Sequence, residues 1–128
     1  MKCYVAHMVV VTSNKAKQLL YFDYSGRVRP EELERIEPDV QSLAAELTPG
    51  FRVLVDLTNL DSMNLDCLKG LGRLMEMAEK SGVGLIVRVI PDPLKDIGFN
   101  ILTIFHYAQH PQIVTCKTMP EAGKHLGL

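Results

Sequence analysis

Tryptophan is absent from this chain, and tyrosine and phenylalanine, four of each, make up only 6% of it. Lys and Arg number 14 against 15 Asp and Glu, scattered among one another, for a net charge of −1. No basic field exists to condense on phosphates and few rings exist to stack on bases, which argues against a nucleic-acid partner. Cysteine is scarce and odd in number: Cys3, Cys67 and Cys116 lie far apart, with no CxxC pair for a zinc knuckle or a dithiol. The apolar runs fall well short of the ~20 residues that span a bilayer. The opening Met1 to Val11 has no small-residue cleavage site after it, so a reducing cytoplasm is the expected compartment and membrane insertion is not expected.

Catalytic signatures are missing too. Gly70 and Gly72 fall inside a helical pattern and Gly82-Val83-Gly84 precedes a strand, so no glycine-rich phosphate loop is formed. There is no Gly-x-Ser-x-Gly elbow and no His-Glu-x-x-His. His106 and His110 share the i, i+4 spacing of metal ligands but lack a third donor, and serve better as cations near a helix C-terminus. Asp56, Asp61 and Asp66 lack the alternate spacing of a calcium loop, so neither metal nor cofactor is expected. Cys67, one turn into a helix with no adjacent base, reads as a buried structural thiol.

What is present is an ordinary globular composition, 47% hydrophobic and 23% charged over 128 residues, enough for one domain over 1–128 with a substantial core. Cys3 to Val11 and Gln18 to Tyr24 read as a strand pair, with Thr12 to Lys17 as the loop and Ser25-Gly26 as the turn that ends the second. Arg29 to Leu47 repeats apolar residues at helical spacing (Leu33, Ile36, Val40, Leu43, Leu47), with Pro38 predicting a kink or a division into two short helices. Phe51 to Leu57 is a strand covered on both faces, Thr58 to Asn64 a polar loop, and Leu65 to Lys80 a helix stopped by Ser81-Gly82. Val83 to Ile90 is the next strand. Asp92-Pro93 opens a helix with Leu94, Ile97, Ile101, Ile104 and Ala108 on one face, Ile113 to Cys116 is a last short strand, and Thr118-Met119-Pro120-Glu121 is a capping box. The order β-β-α-β-α-β-α-β-α predicts an α/β fold with a mixed, mostly parallel sheet of about five strands and about four helices.

The polar stretch Asp56 to Asp66 leaves the C-terminal end of a central strand and enters a helix, the place where open α/β sheets put their sites. Asn64 is a candidate N-cap and Asp66 complements the helix dipole; Asx turns and capping account for each residue taken singly. Gly70 and Gly72 cost roughly 1 kcal/mol each against Ala in a helix. Close packing of that helix on the sheet is the simplest reason to tolerate them.

In these features the chain resembles the STAS domain, the module of bacterial anti-sigma-factor antagonists of the SpoIIAA type. The resemblance rests on Tyr24-Ser25-Gly26-Arg27-Val28, on Val53 to Leu60, on Leu68-Lys69-Gly70-Leu71-Gly72-Arg73-Leu74 and on Met119-Pro120-Glu121-Ala122, in that order along nearly the whole chain. It implies a SpoIIAA-like fold, signalling through protein–protein contact, and a regulatory partner of the anti-sigma-factor or kinase type. Aligned on Leu68, Asn64 to Cys67 covers the family's Asp-Ser-Ser-Gly. The phosphoacceptor position then holds Asp66, which cannot be phosphorylated as a serine is. Asp61-Ser62 matches that motif only after a slip of several residues, which leaves Ser62 as the phosphorylation candidate.

The expectation is a non-enzymatic interaction module whose contact residues are Asp61, Ser62, Asn64, Asp66, Lys69 and Arg73, with Glu76 on the same helix. The alternative is a small-molecule or lipid carrier with an apolar pocket beneath Met63, Met75 and Met77 and the helix over 94–108. A homodimer through the free edge of the first strand is also open.

Overall fold

The structure, a computed structural model, describes residues 8–63, 65–90 and 112–128. Five strands form one sheet in the order of the chain: β1 (Val9–Asn14), β2 (Leu19–Val28), β3 (Arg52–Met63), β4 (Leu85–Val89) and β5 (Gln112–Cys116). β1 is antiparallel to β2, and every later pairing is parallel. The helices among the described residues are α1 (Pro30–Ala45), α2 (Leu68–Lys80) and α3 (Met119–Leu126), with a 3-10 turn at Leu65–Cys67 leading into α2. The helix expected to open at Asp92-Pro93 lies outside the described residues, as do His106 and His110.

Alternation along the strands divides the core between the two faces of the sheet. Leu20, Phe22, Val53, Val55 and Ile86 meet Leu33, Ile36 and Val40 of α1 and Leu71, Leu74 and Met75 of α2. On the second face Leu19, Leu54, Val87, Val89 and Cys116 meet Ala122 and Leu126 of α3. The central strands β3 and β4 are therefore covered on both sides, which is why their sequences are apolar nearly throughout.

Four local readings change. The first strand runs on into its expected loop: Thr12, Ser13 and Asn14 pair with Tyr21, Leu20 and Leu19, leaving a short turn at 15–18 closed by Gln18 at φ 51°. Ser25-Gly26 does not end β2, which runs to Val28 with Gly26 at φ 65°. Pro38 neither divides nor ends α1, which is a single helix. Pro38 and Glu34 are both exposed, so the Glu34 carbonyl that the missing amide leaves open is on the solvent side of the helix. Finally, Thr58 to Met63, expected as a loop, is strand.

This last difference has a visible cause. Asp23 pairs with Asp56 but Ser25 with Asn59, and Gly26 pairs with Leu60 but Arg27 with Ser62. β3 thus carries one extra residue at each of two bulges, the second at Asp61. Each bulge reverses the alternation, so Leu57, Leu60 and Met63 all pack toward the α1/α2 core although they are three residues apart. A spacing of three is foreign to a regular strand and hides this one in the sequence.

A candidate interaction surface at the ends of β2 and β3

Beyond the bulges, β2 and β3 extend past the other strands among the described residues and deliver the chain to α2. Asp61 is exposed at its bulge; Ser62, half-buried, is paired in register with the exposed Arg27. Ser62 therefore stands in a hydrogen-bonded strand rather than a loop. Asp66 is exposed in the 3-10 turn, and Lys69 is exposed on the first turn of α2. Asn64 lies outside the described residues. The N-cap of α2 is Cys67, with no side-chain capping bond.

Buried contacts fix this corner from beneath. The Cys67 thiol, fully buried, donates to the Val28 carbonyl at 3.5 Å, joining the entry of α2 to the end of β2. Cys67 is thus a structural thiol, as expected. Gly70 faces α1: a Cβ added there would stand 3.1 Å from both Cβ and Cδ1 of Leu33. The close approach expected of this helix is real at Gly70, but it is made to α1 rather than to the sheet. At Gly72 a Cβ would meet nothing within 4 Å.

Arg73 differs from its expected role. Its Nε donates to Glu37 Oε1 at 2.5 Å, tying α2 to α1, so much of its charge is already engaged. Glu76 is matched with Lys80 at 3.4 Å along the helix. The group that shares the exposed corner is therefore Asp61, Asp66 and Lys69, with Ser62 beside them.

Two further features bear on function. A cavity of about 50 Å³ opens between α2 and the sheet, lined by apolar side chains including Phe22, Tyr24, Leu71, Met75 and Ile86, with Arg88 at its polar side. Arg88 donates through Nη2 to Thr115 Oγ1 at 2.8 Å. Met75 lines this cavity; Met63 and Met77 are packed instead at the margin of the core. On the opposite face of the sheet, Asp56 is 7% exposed and accepts from the Thr58 amide at 2.9 Å, the Thr58 hydroxyl at 2.5 Å and the Tyr21 hydroxyl at 3.4 Å. Asp23 is its neighbour in register. Burial and then the two aspartates push the Tyr21 hydroxyl up to about 12. This group was not foreseen; an aspartate within the apolar Val53 to Leu57 was its one mark in the sequence.

Among the described residues no group of three His, Cys, Asp or Glu could hold a metal ion, and no helix is long and apolar enough to cross a membrane. No protein-family model matches the sequence, and no curated protein does. The solved structures are more informative. An uncharacterised DUF3478-family protein with a SpoIIAA-like fold, from Shewanella loihica PV-4, superposes with a TM-score of 0.73 at 18% identity, over 98% of this chain and 99% of that one.

The chain has a SpoIIAA-like fold.

The anti-sigma factor antagonist SpoIIAA in its unphosphorylated form matches with a TM-score of 0.61 at 15% identity, covering 93% of this chain and 97% of that one. An anti-sigma factor antagonist from Mycobacterium paratuberculosis gives 0.59 at 16% identity, with 94% and 93% covered. The resemblance of the sequence to STAS modules is thus matched in the fold of the SpoIIAA-like chain. These identities speak for shared architecture alone.

Proposed function

We propose that this SpoIIAA-like chain is a non-enzymatic, cytoplasmic interaction module that grips a regulatory protein, of the anti-sigma-factor or kinase type, through the corner where β3 passes into α2. The observation that carries this reading is the placement of Asp61, Asp66 and Lys69. All three are exposed on a corner anchored beneath by Cys67 to Val28 and by Gly70 against Leu33. A rigid scaffold under exposed charges of both signs costs little ordering entropy on binding and selects its partner by charge complementarity.

The test is capture from lysate of the native host by wild-type protein, by the double variant Asn64→Ala, Asp66→Lys, and by Lys124→Glu on exposed α3 as a control. Loss of a captured protein with the double variant alone supports the reading; equal recovery by all three overturns it.

The cavity under α2 favours a second reading, a carrier of a small apolar ligand. Fatty acids and other lipids would then raise the melting temperature by mass action, in proportion to the logarithm of their concentration. A screen in which none does so disposes of it.

A further inference from the structure

Asp23 and Asp56 are partners in register on adjacent parallel strands, which places two carboxyl groups side by side, about 4.8 Å apart between backbones, on the α3 face of the sheet. Their surroundings differ. Asp56 Oδ1 accepts from the amide and hydroxyl of Thr58 and its Oδ2 from the Tyr21 hydroxyl. Asp23 Oδ1 is buried and has no hydrogen-bond partner among the described residues. No ion pair among the described residues reaches either carboxyl: the four found join Lys15 to Glu46, Arg35 to Glu32, Arg73 to Glu37 and Lys80 to Glu76.

The groups facing Asp23 are few. Across on β1 stands Val10, and no residue of that strand is charged. On β2 its face carries Tyr21, Ser25 and then the exposed Arg27; on β3 it carries Arg52, which is bonded to the Leu126 and Lys17 carbonyls, then Asp56 and Asn59. From α3, Glu121 lies near Cys116, and Lys124 and His125 are exposed. Burial, and next the charge of Asp56, raise the Asp23 carboxyl above its ordinary value. The first bulge of β3 begins directly after this pair, and everything beyond it, Ser25–Val28 against Asn59–Met63, leads to the exposed corner.

We propose that Asp23 and Asp56 form a proton-operated latch: with Asp23 neutral, β2 and β3 stay paired past the bulges, and loss of its proton loosens that extension. The neutral acid places one negative charge between the strands. Its ionisation places two there, with no ion pair among the described residues to offset them, beside a ladder already interrupted. The latch holds or fails independently of whether the corner binds a partner.

The test is carbon-detected NMR titration of the Asp23 carboxyl in the intact chain, with amide-exchange protection of residues 25–28 and 59–63 normalised to that of β4 over the same pH range. Asp23 is expected to titrate above the ordinary aspartate value of 3.8. Protection of the extension should fall by up to about tenfold per pH unit as the proton leaves. Asp23→Asn should abolish that pH dependence while keeping the protected level. An Asp23 midpoint at or below the ordinary value overturns the latch, as does an unchanged pH dependence in Asp23→Asn. If that variant does not fold, the wild type alone decides: protection lost in step with the Asp23 titration supports the latch, and protection indifferent to it overturns it.

Discussion

Gly70 of α2 lies directly against Leu33 of α1, so close that a methyl group in place of its hydrogen would stand 3.1 Å from two carbons of a fully buried side chain. Gly72, one half-turn on, meets nothing within 4 Å. The two glycines of one helix therefore answer the same substitution differently. Gly72→Ala gains helix propensity, about 0.5–1 kcal/mol, without a clash. Gly70→Ala gains the same and loses about 1–3 kcal/mol to overpacking, for a net loss of up to about 2.5 kcal/mol. Urea unfolding of both variants checks the sign of each.

Arg52 clasps the C-terminal helix. Its Nη1 donates to the Leu126 carbonyl and its Nη2 to the Lys17 carbonyl at 2.7 Å, joining α3 and the β1–β2 turn to the start of β3. Arg52→Ala is expected to cost about 2 kcal/mol and to raise amide exchange in α3 before the rest of the fold. Arg52→Lys should recover less than half, since a single ammonium cannot span both carbonyls.

Glu32 sets an acid-side dependence opposite in sign to that of Asp23. The guanidinium of Arg35 hydrogen-bonds to its carboxylate, and the Met8 amide donates to it at 2.6 Å, holding the carboxyl below its ordinary value of 4.5. A lowered carboxyl contributes stability that is present above pH 4.5 and is lost as pH falls through the folded-state value. Glu32→Gln should therefore flatten the acid limb of the melting-temperature profile, whereas Asp23→Asn should flatten the part above the ordinary aspartate range. Two profiles shifted in parallel with wild type would contradict both assignments.

Lys69 and Arg73 separate contact from cohesion. Lys69→Glu should weaken partner capture at least tenfold with no change in melting temperature, because its side chain is exposed. Arg73→Ala should lower stability by about 0.2–1 kcal/mol, the worth of a partly exposed ion pair, less in high salt. A double-mutant cycle with Glu37→Ala measures that coupling directly.

The alternating order of strands and helices was legible in the sequence because the central strands are apolar on both faces and α1 and α2 repeat Leu33, Ile36, Val40 and Leu71, Leu74, Ala78 at helical spacing. Such signals are local. Thr12 to Asn14 and Thr58 to Met63 looked like loops because their strand character comes from pairing with distant partners, not from their own hydrophobicity. The site suffered the same limit: Asp61, Asp66 and Lys69 could be placed at one corner from their spacing, but the diversion of Arg73 to Glu37 depends on how α1 meets α2. The neighbourhood of Asp23 and Asp56 depends on register, which no window of sequence contains.

The paired bulges of β3 also constrain how this stretch can change in length. Removing the extra residue of either bulge leaves five steps and a single reversal between Leu57 and Met63, so Met63 still points inward and the pairing beyond is kept. Removing two, one from each bulge, restores a regular ladder in which the inward residues still point inward. Deletion at either bulge, singly or together, should thus be accepted by the strand, whereas one residue lost from the regular ladder Arg52–Asp56 turns one end of it inside out, a rule for natural variation and grafting alike.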